Sequence, residues 1–294
     1  MSTVKNYLSL VKFSHTIFAM PFALIGFVLG IAALKNNNIH LQTNEVVIRF
    51  CLVLICMITA RSSAMGFNRY LDRHFDQLNP RTAIREIPAG IIKAEKALGF
   101  VIANALIFII ATYFINAICF YLSPVALFVI LFYSYTKRFT YLCHLVLGVG
   151  LSLAPIGAYL AVTGVFDILP LLFSFAIIFW VSGFDIIYAL QDAEFDAAHS
   201  LYSMPSHWGG EKALKIARVF HFFSGVFLWT AYFLGDFHWL YLIGVILFNS
   251  MLVYQQSIVK PTDLSKVNLA FMTANGIASI VFSIFVIAAI ILTF

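Results

Sequence analysis

Charge is what this chain has least of: Asp, Glu, Lys and Arg make up 11% of its 294 residues, against 62% hydrophobic residues. With a mean hydropathy of +0.95, that excludes an ordinary soluble enzyme and places the chain in the membrane class. Cysteine is sparse too. Cys51, Cys56, Cys119 and Cys143 form no C-x-x-C pair and fall in or beside apolar runs. This excludes a disulfide scaffold and a cysteine-based zinc site, and leaves them as packing residues. The basic start lacks a small-residue cleavage site, and the apolar run from Thr16 to Leu34 is too long for a signal peptide, so it reads as a first membrane span. The final apolar run, from about 268 to 293, holds no charge at all and reads as purely structural.

What the chain has in abundance is apolar stretches of about 20 residues, each long enough to cross roughly 30 Å of hydrocarbon. Nine are expected, near 14–34, 45–67, 95–114, 117–136, 141–163, 167–190, 216–235, 238–257 and 268–293. The fold class is therefore all-α: a polytopic membrane protein, a nine-transmembrane-helix bundle forming one domain over 1–294. All of the 18 Lys and Arg except Lys35, Arg49 and Arg61 lie at the N-terminus or in connections that follow even-numbered spans. By the positive-inside rule the N-terminus and those connections are cytoplasmic and the C-terminus is outside. The net charge of +5 is thus a matter of topology and requires no nucleic-acid partner. No obligate protein partner is indicated either. Lys12 and His15, beside the first span, read as interfacial anchors.

Against this apolar background one stretch stands apart. The 23 residues from Asn68 to Gly90 contain two aspartates, one glutamate and four arginines, which burying a core does not require. Asn68, Asp72 and Asp76 recur every four residues and on a helix would share one face. About 120 residues later the pattern returns as Asp185, Tyr188, Asp192 and Asp196, followed by Ser203-Met204-Pro205. Each stretch begins at the end of an even-numbered span and runs into a long cytoplasmic connection, of about 27 and 25 residues, of the kind that often carries function. The offset suggests an internal duplication, two pseudo-repeated halves with an active site between them.

Carboxylates at a membrane cost about 2.5 to 3.5 kcal/mol each at a helix centre, so four of them need a compensating cation. Two hard oxygens one helical turn apart suit Mg²⁺, which typically takes one or two carboxylates and completes its shell with phosphate oxygens and water. Four aspartates with a diphosphate carry about seven negative charges; two Mg²⁺ with Arg81 and Lys137 carry about six positive ones. The plain alternative, solvated and salt-bridged loops, would suffice for one such pair, but two copies at matching places favour a diphosphate site. Deeper in the spans, Arg61 lies two turns before Asn68 and Asp185 two turns before Asp192, roughly 10 Å along each axis. A buried arginine fits a carboxylate; a salt bridge to Asp185 is its structural alternative. Glu194 points away from Asp192 and is left out of the metal set.

The sequence resembles the UbiA-type family of intramembrane aromatic prenyltransferases, nearest its 4-hydroxybenzoate polyprenyltransferase branch. The resemblance rests on Asn68, Asp72 and Asp76, on Asp185, Tyr188, Asp192 and Asp196, and on Tyr133 with Lys137-Arg138-Phe139-Thr140. It implies a Mg²⁺-dependent transfer of a polyprenyl chain from its diphosphate to an aromatic acid in quinone (ubiquinone or menaquinone) biosynthesis, in a cell (inner) membrane. It further implies that Asp72, Asp76, Asp192 and Asp196 hold the metal, and that Asn68, Arg81, Lys137 and Tyr133 bind the diphosphate. Arg61, Asp185 and Tyr188 would serve the acceptor and the reacting ring. One departure is Tyr202-Ser203-Met204-Pro205, where many members carry a basic residue directly before Ser-Ile-Pro. Two other readings stand beside this one: the same chemistry on a dihydroxynaphthoate acceptor, and an ion-coupled transporter, since repeated halves and intramembrane acids also mark ion pathways. A CDP-alcohol phosphotransferase would need a D-G-x-x-A-R signature, which is absent.

Overall fold

The computed structural model describes residues 3–12 and 19–294. His15 and the opening residues of the first expected span lie outside the described residues. The regular elements are helices: α1 Thr3–Leu10, α2 Met20–Asn36, α3 Thr43–Leu78, α4 Ala94–Ile115, α5 Ala117–Thr136, α6 Cys143–Thr163, α7 Ile168–Ala189, α8 Ala193–Ala198, α9 Met204–Gly235, α10 Leu240–Ile258 and α11 Asn275–Thr293. A single 3₁₀ turn, Leu190–Asp192, joins α7 to α8, and a π turn, Leu269–Ala274, leads into α11. Among the described residues eight helices are long and apolar enough to cross a membrane, and α2 is a shorter apolar one of 17 residues. Together they account for the nine expected spans.

Two boundaries differ from the sequence reading, both beside the acidic stretches. Helix α3 runs 36 residues, about 54 Å at 1.5 Å per residue against roughly 30 Å of hydrocarbon. Asn68, Asp72 and Asp76 therefore ride on helix and not in a connection. No proline interrupts α3, the Asn68 Nδ2 donates to Asp72 Oδ2 at 3.0 Å one turn on, and the helix stops just before Pro80, where the pre-proline position disfavours helix. What remains as connection is 79–93. The second acidic stretch behaves differently: α7 tightens into the 3₁₀ turn, and Asp192 becomes the N-cap of α8. Helix α9 then starts at Met204, well before the expected 216. Ser203 caps it with a reciprocal Ser203–Ser206 capping box, and it continues through a kink at Gly209, whose φ of 78° suits glycine. The spacing of the two acidic stretches is duplicated, but their backbones are not.

The chain forms two compact units. The first holds α1, α3 from Ile48, α4 and α5 up to Tyr135; the second holds α2, α3 up to Val47, and everything from Thr136 onward. In the first, Leu10 packs with Ile92 and Ala97, flanked by Tyr7, Ile87 and Phe100, and the Ser9 hydroxyl donates to the Glu86 carboxylate. Lys12, at the end of α1, is exposed. In the second, α7 is the central helix, packed by α6 and α9, while α2 lies on α6 and α11. Its core is aromatic: Trp180 meets Phe22, Phe184 and Phe248 at 5.2 to 5.5 Å and donates its indole N–H to Asn275 Oδ1 at 2.9 Å. Gly26 lets α2 approach α6 so closely that a Cβ there would sit 2.1 Å from the Pro155 carbonyl oxygen.

Candidate functional site

The expected site residues divide between the two units. In the first, the helical spacing of α3 sets Asn68, Asp72 and Asp76 one turn apart. Asp76 is buried at 5% exposure. Its Oδ1 accepts from Arg85 Nη1 at 2.6 Å, while its Oδ2 is buried with no hydrogen-bond donor. The connection after α3 is wound tightly around that residue: the Thr82 hydroxyl donates to the Asp76 carbonyl at 3.1 Å, and the Arg85 N–H donates to the Thr82 carbonyl. Arg85, counted in the sequence only among the four arginines of this stretch, thus meets the Asp76 carboxylate; Arg81, expected at the diphosphate, is exposed. Arg69 was read only as a topology charge, yet it is buried, with Asp76, Glu86 and Tyr133 within electrostatic reach. Deeper in α3, the Arg61 Nε is buried without a hydrogen-bond acceptor, and Tyr133 on α5 lies within electrostatic reach of that guanidinium.

In the second unit Asp196 is fully buried, and Lys137 reaches it with Nζ 2.7 Å from Oδ1. Asp192 is half-buried and close enough to act on it electrostatically. Glu194, on α8, is exposed. The segment after α8 is tied to the chain around Lys137: the Tyr202 N–H donates to the Lys137 carbonyl at 2.7 Å, and the Cys143 thiol to the Tyr202 carbonyl at 3.4 Å. Tyr188 packs its ring on Phe271 at 4.3 Å.

Asp185 has a partner that sequence reasoning missed. Its Oδ2 lies 2.6 Å from His144 Nδ1 on α6, and the other imidazole nitrogen, Nε2, accepts the Met204 N–H at 3.2 Å. An acceptor at Nε2 fixes the tautomer, so that Nδ1 carries the proton and donates it to the carboxylate. His144 is itself 2% exposed. Its signal in the sequence was a lone histidine inside an apolar span, where an ionisable group is costly and calls for a partner.

The donors present suit a divalent hard cation. Asp76 Oδ2 is a buried carboxylate oxygen without a hydrogen bond, and Asp72 and Asp192 are half-buried acids a turn from a buried one. Among the described residues no three His, Cys, Asp or Glu side chains gather tightly enough to hold a metal by themselves. A cation would thus find carboxylate pairs and need phosphate oxygens and water to complete its six ligands, which is how Mg²⁺ is commonly held.

The chain matches the UbiA prenyltransferase family over residues 19–287. Among curated proteins it is 30% identical over 243 residues to the 4-hydroxybenzoate octaprenyltransferase of Tolumonas auensis, covering 80% of this chain and 82% of that protein. It is 28% identical over 240 residues to the protein of that name from Francisella tularensis, covering 82% and 83%. Among solved structures, the apo structure of a UbiA homolog from Aeropyrum pernix K1 superposes with a TM-score of 0.78 at 25% identity, covering 95% of this chain and 98% of that one. A UbiA homolog from Archaeoglobus fulgidus bound to DMAPP and Mg²⁺ shares the fold, with a TM-score of 0.70 at 20% identity over 97% and 99% of the two chains. The transporter reading falls with these matches, which cover nearly the whole chain. This chain belongs to the UbiA prenyltransferase family.

Proposed function

We propose that this protein transfers a polyprenyl chain from its diphosphate to a 4-hydroxybenzoate-like aromatic acid, as a step of quinone biosynthesis, with residues 1–294 acting as one catalytic domain. The observation that carries the reading is that each unit holds a buried aspartate of a D-x-x-x-D pair against a cation, Asp76 with Arg85 and Asp196 with Lys137. A buried acid at a membrane needs positive charge around it, and Asp76 keeps one buried oxygen, Oδ2, with no hydrogen-bond donor, a position a metal cation bridging to a diphosphate would fill. Asp72, Asp76, Asp192 and Asp196 would hold Mg²⁺, which supplies Lewis-acid stabilisation of the departing diphosphate. Asn68 orients Asp72 through its amide, and Arg81, Lys137 and Tyr133 are assigned to the diphosphate, with Arg85 added by its contact with Asp76.

The remaining residues serve the acceptor. Arg61 offers a fork of donors to the acid's carboxylate. Asp185 and Tyr188 flank the ring, and the Asp185 carboxylate polarises the ring hydroxyl while the ring carbon attacks the allylic C1. The C1–O bond breaks with its electron pair leaving on diphosphate, the new C–C bond forms, and the ring proton at the attacked carbon passes to the released diphosphate, which restores aromaticity. Apolar helices keep water from the allylic cation. The distribution of basic residues supports a cytoplasmic N-terminus and cytoplasmic connections after α3 and α8, in a cell (inner) membrane.

The test is to incubate membranes containing the protein with a labelled polyprenyl diphosphate, Mg²⁺ and either 4-hydroxybenzoate or dihydroxynaphthoate. Label is expected in prenylated 4-hydroxybenzoate. Labelling of the naphthoate alone would move the acceptor to that class; labelling of neither would contradict an aromatic acceptor.

A further inference from the structure

Beyond the residues already given roles, His144 is a buried ionisable group with a hydrogen-bond partner at each ring nitrogen. It stands on the first turn of α6, and each ring nitrogen is engaged: Nδ1 with Asp185 Oδ2 at 2.6 Å, and Nε2 with the Met204 N–H at 3.2 Å. The Ser182 hydroxyl on α7 lies 2.6 Å from the Ile178 carbonyl of its own helix and 3.1 Å from the His144 carbonyl, so its one proton is shared between them and the backbone bearing the ring packs against the helix that carries Asp185. Met204 is the first residue of α9, directly after the Ser203 cap. The next turn of α6 crosses α7 at close range, because Gly148 leaves no room for a Cβ beside the Ile178 carbonyl and the Ser182 hydroxyl.

From this geometry we propose that His144 is a positioning residue for Asp185, which rests on the reading of Asp185 as the group that polarises the acceptor. A carboxylate on a half-exposed side chain can rotate about its last torsion, and each misdirected rotamer lowers the fraction of time it faces the ring hydroxyl. The imidazole removes that freedom at one oxygen, Oδ2, and leaves Oδ1 for the substrate. It can do so only while Nδ1 carries the proton, and the Met204 N–H enforces that tautomer by occupying Nε2. The same ring ties the start of α9, and with it the segment that follows Asp192 and Asp196, to the helix bearing Asp185. The acceptor group and the end of the second acidic stretch are thereby held in one register. A loss of about 1 Å in such placement commonly costs on the order of a hundredfold in rate.

Two substitutions separate the two nitrogens. His144→Asn keeps an N–H donor near the position of Nδ1, whereas His144→Gln carries its amide out toward Nε2 and leaves Asp185 without its donor. Each would be assayed as full-length protein in membranes for acceptor kcat/KM, beside Asp185→Asn and the double variant Asp185→Asn/His144→Gln, with the melting temperature followed in detergent. The expected result is a fall of roughly ten- to a hundredfold for His144→Gln, retention within about threefold for His144→Asn, and no further fall when His144→Gln is added to Asp185→Asn. Equal losses in both His144 variants tracking their melting temperatures, or losses that multiply with that of Asp185→Asn, would show a packing role and overturn the proposal. If Asp185→Asn is impaired while His144→Gln turns over normally, the proposal fails alone. If Asp185→Asn itself turns over normally, the reading of Asp185 fails and the role of His144 fails with it.

Discussion

Arg61 is the residue whose chemistry the membrane makes least ambiguous. A guanidinium with a buried, unpaired Nε is costly to hold in a span unless something anionic meets it. A substrate carboxylate matches its fork geometry. Arg61→Ala is therefore expected to raise the KM for the aromatic acid about ten- to a hundredfold, each factor of ten being about 1.4 kcal/mol, while the KM for the polyprenyl diphosphate changes little. Steady-state kinetics with each substrate varied in turn reads this directly, and equal effects on both would assign Arg61 a structural part. At this scale the sequence revealed the acids well and their partners poorly. Asp72, Asp76, Asp192 and Asp196 were legible because charge is rare and their spacing repeats. Arg85 and His144 were not, because a contact across a turn of connection or between two helices has no sequence spacing. Charge identity alone could not single out Arg85 among four arginines as the partner of Asp76; the Thr82 bond that winds the connection back toward Asp76 brings it there.

Among the elements, apolar length fixed the number of spans and blurred their ends. Hydropathy falls where Asn68, Asp72 and Asp76 begin, so α3 looked finished at about 67, yet intrahelical pairs and the absence of a breaker carry it on to Leu78. Helix α9 was hidden for a different reason. Its first turns hold Gly209, Gly210 and several charges, which read as loop, while the Ser203 capping box and the Pro205 next to it start the helix all the same. The extension of α3 turns one supposed loop into a helical support for Asp72 and Asp76, which suits groups that have to be held in place, whereas Asp192 and Asp196 ride on a 3₁₀ turn and the short α8 that follows it. The alternation of spans also carries a prediction about orientation. Reporter fusions after Asn79 and after Ser200 are expected to read cytoplasmic and a fusion at Phe294 to read the opposite side, because Arg69, Arg73, Arg81 and Arg85 flank the first position and Lys212, Lys215 and Arg218 follow the second. A cytoplasmic signal at Phe294 would contradict the topology.

For the molecule as a whole, the division of the two acidic stretches between two compact units gives the duplicated spacing its meaning. Each unit has its own packed interior, and each keeps one aspartate buried against a cation. The repeat was legible as a 120-residue offset. The local difference, a straight helix in one and a 3₁₀ turn in the other, was not, because it depends on where α7 ends and α8 begins and not on spacing. The central claim is that both acidic pairs serve one Mg²⁺-dependent transfer. Asp72→Ala and Asp192→Ala are the variants that test it, because they remove one half-buried acid from each pair and leave the buried Asp76 and Asp196 with their cations. Each would be assayed in membranes with labelled polyprenyl diphosphate, 4-hydroxybenzoate and a range of Mg²⁺, with folding checked in detergent. Both are expected to lower prenylation by about a hundredfold or more while the protein stays folded. Turnover near that of the wild type in either variant would contradict the claim.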